Sequence, residues 1–281
     1  MPANIWQINW IFQMILSFHP IIEADVNILC AGRNPSKDDF DAIKKAKAVI
    51  LPQGCRKSLY DMASQNCANV FPNYDALFQY PGKVGEIRLF KEMDALHPET
   101  LIFENVKAFE SVEPYSFPFV FKFSFGGDGD NVHFVKNQCD LNIILNQAEK
   151  WETTGQFGFI IQKYINCGNK SLRVVVMGEK IISYWRIQEA QENFYTNTSK
   201  GAVLDHDYAP ELQELAKDSL KKFCSKTKIN LAGFDFLFDI DEKVPIFLEI
   251  NYFFGRKGIG GSENYYRLLE SVVKHWINEI P

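Results

Sequence analysis

Two apolar runs near the C-terminus, joined by a short polar turn, constrain the fold of this chain more than any other feature of its sequence. The runs cover residues 233–240 and 246–251, and the turn contains Asp241, Glu242 and Lys243. Apolar runs of this length on either side of a polar turn predict an antiparallel β-hairpin. Acidic side chains interrupt both runs, so the predicted hairpin carries charge within an otherwise apolar element.

Three oxygen-bearing side chains lie on this hairpin and predict a metal site. Glu249 and Asn251 are two residues apart, so a strand directs both side chains to one face, and Asp235 lies on the other run. A few carboxylate ligands combined with phosphate oxygens suit a hard cation such as Mg²⁺. The alternative is a strand whose acids simply face water, but Glu249 lies among apolar residues that indicate burial.

A glycine-rich loop follows another apolar run and adds a candidate phosphate site. The run ends at Lys122, and the loop after it contains Gly126, Gly127 and Gly129. Small residues let backbone N–H groups approach phosphate oxygens closely, and a lysine on the preceding strand can reach the same phosphates. The loop has neither the Gly-Lys-Ser/Thr of a P-loop nor the spacing of a dinucleotide fingerprint. Alone it is typical of a turn, and the carboxylates downstream make it a nucleotide candidate.

Further segments follow one another in a recognisable order along the chain. Gly82 and Lys83 open a predicted helix over 84–96, and residues 160–165 form an apolar, strand-like run. Two arginines and a polar segment come next. They are Arg173 in the run 172–178, Arg186, the residues Phe194-Tyr195-Thr196-Asn197, and Lys200-Gly201.

Taken in this order, the segments resemble the ATP-grasp ligases, nearest the RimK-type glutamate ligases, with glutathione synthetase as a more distant relative. The resemblance extends from residue 82 to the C-terminus. It implies an α/β chain with an ATP-grasp fold that follows an N-terminal Rossmann-like pre-ATP-grasp domain. It also implies ATP and Mg²⁺ (or Mn²⁺) as cofactors.

The resemblance implies roles residue by residue. For ATP binding, the matching positions are Lys83, Lys122, Gly126, Gly127, Gly129, Gln162, Lys163, Tyr164 and Ile165. For catalysis they are Arg173, Arg186, Asn197 and Lys200, and for the metal they are Asp235, Glu249 and Asn251. Two departures from the family pattern bear on the substrate more than on the chemistry. Lys163 stands where the hinge usually has a glutamate, and Ser171 stands where an aspartate is common.

The chain divides into three predicted parts. They are a pre-ATP-grasp α/β domain at 1–80, a central ATP-grasp subdomain with the glycine-rich loop at 81–165, and a C-terminal subdomain with the metal site at 166–281. In the first part, strand-like runs alternate with helical ones, which predicts a small parallel sheet covered by helices. The predicted strands are 5–8, 26–31 and 48–52, and the predicted helices are 10–23, 36–47 (with a Ser cap), 141–151 and 210–226.

Composition fits a globular cytoplasmic protein. The 281 residues are 46% apolar, which is ample for a core, and a net charge of −5 argues against a nucleic-acid binder. Six scattered cysteines without a C-x-x-C pair indicate reduced thiols. The apolar run 10–22 is interrupted by Gln13 and Pro20 and is too short to span a bilayer. We therefore predict neither a membrane segment nor a nucleic-acid partner.

The predicted activity is ATP-dependent ligation of a carboxylate, on a small molecule or a peptide, to an amine. The resemblance implies that the carboxylate is first phosphorylated and that the amine then attacks the acyl phosphate. Two alternatives share the nucleotide site: a small-molecule kinase, and a regulatory module that binds nucleotide without turnover. The sequence names neither substrate, and it leaves assembly into a homo-oligomer open.

Overall fold

The structure, a computed structural model, describes residues 14–30, 32–126, 131–189, 196 and 201–281. The chain forms two compact units. The first contains the chain up to Pro72 together with Val273–Pro281, and the second contains Asn73–Val272. Helices and strands are mixed throughout, which confirms the α/β prediction.

A four-stranded parallel sheet organises the first unit. Its strands are β1 (Met14–Ser17), β2 (Val26–Asn27), β3 (Ala46–Ile50) and β4 (Val70–Phe71), in the order β2-β1-β3-β4. Its helices are α1 (Lys37–Lys45) and α2 (Lys57–Asn66). Ser36 and Asp39 form a capping box that satisfies backbone N–H groups at the start of α1. The predicted parallel sheet and the Ser-capped helix are both confirmed.

The helix predicted over residues 10–23 is wrong. Met14–Ser17 is a strand that lies between β2 and β3, and its last two residues are buried. The periodicity of a short apolar run cannot distinguish a strand that is buried on both faces from a buried helix. The strand predicted at 26–31 is limited to Val26–Asn27, and the strand predicted at 5–8 lies outside the described residues.

Two helices open the second unit, α3 (Asp75–Gln79) and α4 (Gly82–Glu92). The helix predicted over 84–96 therefore begins earlier and ends earlier. Asp94 has a φ of 55°, a left-handed conformation that an α-helix cannot continue. At the start of α4, a Cβ on Gly82 would stand 2.7 Å from the Ser124 carbonyl oxygen, so the helix begins against the glycine-rich loop.

The second unit contains two antiparallel sheets. The first consists of β5 (Thr100–Phe103), β6 (Phe119–Phe123), β7 (Val132–Val135) and β8 (Phe159–Lys163), in the order β5-β8-β6-β7. Helix α5 (Gln138–Glu152) packs on it over a core rich in phenylalanine and confirms the helix predicted at 141–151. β6 and β7 flank the glycine-rich loop, of which residues 127–130 lie outside the described part of the chain.

The other sheet carries the predicted hairpin. It consists of β9 (Lys170–Met177), β10 (Lys180–Ile187), β11 (Val203–Asp205), β12 (Leu231–Leu237) and β13 (Ile246–Asn251), in the order β11-β10-β9-β12-β13. The same unit contains helix α6 (Pro210–Thr227) and the first part of α7 (Gly261–Glu279), whose residues from Val273 onward belong to the first unit. β12 and β13 are antiparallel neighbours, so the hairpin is confirmed, and α6 confirms the helix predicted at 210–226.

The division of the chain at residues 80 and 165 stays a prediction. None of the helices in the described part of the chain combines the length and the apolarity that crossing a membrane requires.

Candidate functional site

Strand register brings the predicted metal ligands and one arginine onto the same sheet face. Arg173 on β9 pairs with Asp235 on β12, which in turn pairs with Glu249 on β13. Residues opposite each other on neighbouring strands project from one face, and Asn251, two residues beyond Glu249, shares it. The two-residue spacing seen in the sequence thus places the three oxygen-bearing side chains together.

Arg186 reaches the same face from β10. It pairs with Ser171, which lies two residues before Arg173 on β9. Arg186 donates to the Ser171 hydroxyl through Nε at 3.1 Å and through Nη2 at 2.9 Å. Ser171 Oγ also lies 2.7 Å from Thr196 Oγ1. Ser171 therefore supplies hydrogen bonds without charge, and the charge of Arg186 needs another partner.

Asp235 is that partner and forms the centre of the arginine cluster (Asp235, Arg173, Arg186 and Asn251). Arg173 donates to both of its carboxylate oxygens, at 2.9 Å for Oδ2, and Arg186 Nη2 lies 2.9 Å from Oδ2. Asn251 Nδ2 donates to the same oxygen at 3.3 Å. Burial alone would raise the pKa of Asp235, but the two arginines hold the pKa below its usual range. Asp235 is therefore ionised at neutral pH.

A second group, the lysine cluster (Lys83, Lys122, Glu86 and Glu249), contains an ion pair between α4 and β13. Lys83 Nζ donates to Glu249 Oε1 at 2.8 Å. Burial works against the charge of Lys83, yet the neighbouring Glu249 leaves its pKa raised. Burial likewise opposes the charge of Glu249, but Lys83 holds its pKa low. Both members of the pair are ionised.

The other two members of the lysine cluster are less well balanced. Lys122 is 6% exposed, and burial together with the charge of Lys83 lowers its pKa to about 8. Burial together with the charge of Glu249 raises the pKa of Glu86 to about 8. Neither group meets enough opposite charge to offset its loss of hydration.

Glu86 is a residue of this site that the sequence reasoning missed. Its Oε1 accepts a 2.6 Å hydrogen bond from the backbone N–H of Ile250, between two of the metal candidates. A signal was present, because Glu86 lies three residues after Lys83 and residues three apart share a helix face. Glu86 thereby connects α4 to the strand that carries Glu249.

A cavity of about 100 Å³ joins both clusters to the predicted hinge. Its ionic lining includes Lys122, Arg186, Asp235 and Glu249, and its apolar lining includes Val120, Ile165, Leu237 and Leu248. An apolar pocket with a few convergent charged groups is the usual form of a small-molecule site. The cavity thus has an apolar half and a half in which cationic and anionic side chains meet.

A β-bulge sets the border between the two halves. Asp235 pairs with Glu249, but Phe236 pairs with Phe247, so Leu248 has no partner on β12. Consecutive residues of a regular strand face opposite sides, yet Leu248 and Glu249 both line the cavity. The extra residue therefore lets neighbouring side chains reach the same site.

The predicted hinge lies at the end of β8 and lines the cavity through Gln162, Lys163, Tyr164 and Ile165. Gln162 is buried and donates to Thr100 Oγ1 at 3.0 Å. The Lys163 ammonium pairs instead with Glu99 at 3.2 Å, and its side chain is 56% exposed. The side chains of Gln162 and Lys163 are thus engaged by neighbouring residues, and the lysine that replaces the family's glutamate is paired at the surface.

The glycine-rich loop is described up to Gly126. This residue has a φ of 86°, and a Cβ on it would overlap the Asn131 side chain, so only glycine fits. Asn131 Nδ2 donates to the Phe125 carbonyl at 2.9 Å and braces the turn. Four predicted site residues lie outside the described residues: Gly127, Gly129, Asn197 and Lys200.

Solved structures with a similar fold are ATP-grasp enzymes. One is the ADP complex of an N5-carboxyaminoimidazole ribonucleotide synthetase, which is 14% identical with a TM-score of 0.59. The match covers 84% of this chain but only 62% of the synthetase. A RimK domain protein from Sphaerobacter thermophilus DSM 20745 is 15% identical with a TM-score of 0.55, and the match covers 82% of this chain and 81% of that protein. The ATP complex of D-alanine–D-alanine ligase from Bacillus anthracis is 15% identical with a TM-score of 0.60, and the match covers 90% of this chain and 87% of the ligase. The predicted ATP-grasp fold is thus confirmed.

The sequence supports a narrower assignment. The model of the RimK-like ATP-grasp domain matches residues 87–266, more than half of the chain. The chain therefore belongs to the RimK-like ATP-grasp family, as its motifs indicated. No curated protein sequence matches it.

Proposed function

We propose that the protein is an ATP-dependent carboxylate–amine ligase that forms an amide or peptide bond through an acyl phosphate. The observation that carries this proposal is the meeting of the arginine cluster and the lysine cluster in one cavity beside the hinge. Ligation of this type needs charge to balance a triphosphate and a cation beside the carbonyl that is attacked. Membership of the family supports the same class of reaction.

ATP fits the two halves of the cavity. The backbone of 162–165 and the apolar lining would hold the base, and the glycine-rich loop would approach the phosphates. Lys83 and Lys122 would neutralise phosphate oxygens. The added negative charge would raise the pKa of Lys122 from about 8 and keep its ammonium protonated.

Asp235, Glu249 and Asn251 would hold Mg²⁺ or Mn²⁺. Two carboxylates and an amide on one sheet face are the hard oxygen donors that such a cation takes. Both carboxylates are ionised, because their cationic neighbours hold each pKa below its usual range. When bound, the cation would neutralise oxygens of the β- and γ-phosphates.

The proposed reaction has two steps. An oxygen of the substrate carboxylate attacks the γ-phosphorus, the bond from that phosphorus to ADP breaks, and an acyl phosphate forms. The amine nitrogen then attacks the acyl carbon, loses a proton and expels inorganic phosphate. Arg186 would stabilise the anionic tetrahedral intermediate, Arg173 would hold Asp235 in place, and Asn197 and Lys200 would face phosphate and substrate.

This route needs no nucleophile from the protein. Cys167 lines the cavity, but burial raises the pKa of its thiol, so it is protonated and weakly nucleophilic at neutral pH. The hydroxyl of Ser171 is engaged by Arg186 and Thr196. Direct attack by the amine on the acyl phosphate is therefore the simpler path.

Trapping the acyl phosphate tests the proposal. The protein is incubated with Mg²⁺, ATP, hydroxylamine and a panel of amino acids, short peptides and other carboxylates. A true substrate should yield ADP and a hydroxamate in equal amounts, because hydroxylamine intercepts the activated carbonyl. Lys122→Ala should suppress both products. Lys91→Ala, at an exposed lysine in the last turn of α4, is the matched control and should not.

Other outcomes identify the alternatives. ADP formed together with a phosphorylated product that hydroxylamine does not attack would indicate a kinase. Nucleotide binding without ADP formation in any mixture would indicate a regulatory module, which the uncharged Ser171 beside Arg186 would suit. Either result would overturn the ligase proposal.

The remaining parts of the proposal concern partners and location. We propose a small-molecule or peptide carboxylate and an amine as substrates, in the cytoplasm, with no nucleic-acid or membrane partner. The homo-oligomeric state stays open.

A further inference from the structure

Helix α4 begins against the root of the glycine-rich loop. The backbone N–H of Lys83 donates to the Ser124 carbonyl oxygen at 3.2 Å, and a Cβ on Gly82 would stand 2.7 Å from the same oxygen. Ser124 comes directly after β6, so this contact lies where the strand passes into the loop. Backbone atoms therefore hold the start of α4 against the loop.

The same helix is joined at two points to the strand of the predicted metal ligands. The Lys83 ammonium pairs with Glu249 at 2.8 Å. Glu86 Oε1 accepts a 2.6 Å hydrogen bond from the backbone N–H of Ile250. Lys83 and Glu86 lie three residues apart on one face of α4, and they engage consecutive residues of β13. The start of α4 thus connects the glycine-rich loop to β13.

Strand β13 needs such support because it lies at the edge of its sheet. It pairs with β12 on one side, and no strand of the described residues lies on the other. An edge strand presents backbone N–H groups that no neighbouring strand accepts. The Leu96 carbonyl accepts that of Phe247 at 2.8 Å, and Glu86 accepts that of Ile250. Glu86 therefore holds the outer edge of β13 at the residue between two of the metal candidates.

The surroundings of Glu86 indicate that its reach matters more than its charge. A cavity of about 150 Å³ borders Glu86 together with Lys83, Gly126 and Glu249, so packing alone does not hold the side chain in place. A carboxylate has the same sign of charge as a phosphate and would repel one that entered here. The hydrogen bond to the β13 backbone is thus the favourable contact that this side chain makes.

We propose that Glu86 is a positioning residue for the predicted metal site: through the Ile250 N–H it fixes the backbone from which Glu249 and Asn251 project. The inference rests on the proposed function and adds to it a residue that binds neither the cation nor the nucleotide. Mg²⁺ demands near-ideal octahedral geometry, so small shifts of its ligands weaken its binding. Loss of a group that orients metal ligands from outside typically lowers metal affinity about 10–100-fold.

Two substitutions separate the reach of this side chain from its charge. Glu86→Gln keeps an acceptor oxygen at the same distance from the helix and removes the charge. Glu86→Asp keeps the charge and shortens the side chain by one methylene. Positioning predicts that Glu86→Gln resembles the natural protein and that Glu86→Asp does not. A function of the charge, including direct binding of the cation, predicts the reverse. Glu92→Asp, at an exposed glutamate of the same helix, is the matched control.

Hydrogen exchange of the Ile250 amide tests the contact itself, without metal or nucleotide. The amide should exchange about tenfold faster in Glu86→Asp than in the natural protein, because a lost hydrogen bond lowers its protection. Glu86→Gln and Glu92→Asp should leave the exchange rate unchanged. Thermal unfolding establishes that each variant is folded. If Glu86→Asp is not, Glu86→Ala takes its place, because it also lacks an acceptor within reach.

Binding of Mn²⁺ tests the consequence for the metal site without turnover. Electron paramagnetic resonance of free Mn²⁺, titrated in the presence of a non-hydrolysable ATP analogue, gives the dissociation constant. Glu86→Asp should weaken Mn²⁺ binding about tenfold or more. Glu86→Gln and Glu92→Asp should stay within about threefold of the natural value. The affinity for the analogue without a divalent cation should be the same in all variants, because only the metal ligands shift.

Three results would overturn the inference. The first is a natural Mn²⁺ affinity in Glu86→Asp. The second is a Glu86→Gln variant that binds Mn²⁺ as weakly as Glu86→Asp. The third is a loss of analogue affinity without the cation that equals the loss of Mn²⁺ affinity, since that would show a general disturbance of the site.

The trapping experiment separates the failure of this inference from the failure of the ligase proposal. A difference in Mn²⁺ affinity between Glu86→Gln and Glu86→Asp, without any hydroxamate, would keep the positioning role and overturn the ligase. Hydroxamate formed with the same Mg²⁺ requirement in both variants would keep the ligase and overturn the positioning role.

Discussion

The arginine cluster and the lysine cluster both contribute to one cavity, Arg186 and Asp235 from the first and Lys122 and Glu249 from the second, but they are balanced differently. In the arginine cluster the pKa of Asp235 is low, because two guanidinium groups hold its charge. In the lysine cluster Lys122 and Glu86 both have a pKa of about 8, so opposite charge does not fully offset their burial. The arginine cluster is thus bound together by its own ion pairs, although two guanidinium groups share one carboxylate and burial lowers the pKa of Arg186. The lysine cluster also has positive charge that a bound anion such as phosphate would balance. The difference lies in how firmly the ionised state of each cluster is held, and both clusters keep positive charge for a bound anion.

Removing Glu249 should have the largest effect, because this residue belongs to the lysine cluster and to the predicted metal site. Glu249→Ala should lower ADP release by about a thousandfold. The cation that neutralises the phosphates would lose a ligand, and Lys83 would lose the carboxylate that positions it. ADP release at saturating Mg²⁺ measures this, and circular dichroism checks that the fold is intact. Glu242→Ala, in the exposed hairpin turn, is the control. Normal turnover in Glu249→Ala would contradict the metal assignment.

Removing Asp235 should break the arginine cluster and destabilise the fold. Asp235→Ala leaves Arg173 and Arg186 buried without a counter-charge, and the loss of one partner of a buried ion pair costs about 3–5 kcal/mol. The free energy of unfolding in urea measures the effect. Asp241→Ala, at an exposed acid near the end of the same strand, should change it by about 0.5 kcal/mol or less. Equal stability of the two variants would show that the cluster is not structural.

The lysine cluster should give the nucleotide-free protein a stability minimum near pH 8. The pKa of Glu86 is raised from 4.5 to about 8, so the folded state binds its proton more tightly, and stability falls as the pH rises through this window. The pKa of Lys122 is lowered from 10.5 to about 8, so the unfolded state binds its proton more tightly, and stability rises from about pH 8 to 10.5. Urea unfolding across this pH range measures the profile.

A variant isolates the lower branch of that profile. Glu86→Gln should remove the loss of stability between pH 4.5 and about 8, because glutamine does not titrate. The arginine cluster affects stability in a different pH range. The pKa of Asp235 is lowered, so its contribution to the stability of the fold is present above pH 3.8 and is lost as the pH falls further. Identical profiles for the natural protein and Glu86→Gln would mean that Glu86 does not titrate in this window.

Removing the Lys163 side chain should have the smallest effect. Its ammonium pairs with Glu99 at the surface, where both side chains are more than half exposed, and such pairs contribute about 0.2–1 kcal/mol. Lys163→Ala should therefore leave the affinity for an ATP analogue within about twofold of the natural value. Calorimetric titration measures this. A loss of tenfold or more would mean that the ammonium, and not only the hinge backbone, contacts the nucleotide.

The hairpin and its side chains could be predicted because strand periodicity is local. A spacing of two places Glu249 and Asn251 on one face whatever surrounds them, and the polar turn fixes the partner strand that carries Asp235. The short strand Met14–Ser17 could not be predicted, because its apolar run is compatible with a buried helix until its neighbours in the sheet are known.

The missed residue depends on tertiary contacts. Glu86 matters through a hydrogen bond to Ile250, 164 positions away in the sequence, and no local pattern indicates that bond. Charge in a sequence is visible, but whether that charge is already neutralised is a property of the fold.

The bulge at Leu248 separates two kinds of evolutionary change. Because the extra residue turns both Leu248 and Glu249 toward the cavity, the apolar wall and the ionic wall meet within a single peptide unit. A change of side chain at Leu248 can resize the apolar part of the cavity while the backbone keeps Glu249 where it is. Deletion of that residue would instead remove the bulge: Phe247 and Glu249 would become neighbours opposite Phe236 and Asp235, and the cavity would lose the apolar side chain beside Glu249. At this strand, substitution of Leu248 would therefore change the shape of the apolar wall, whereas deletion would remove that wall beside Glu249.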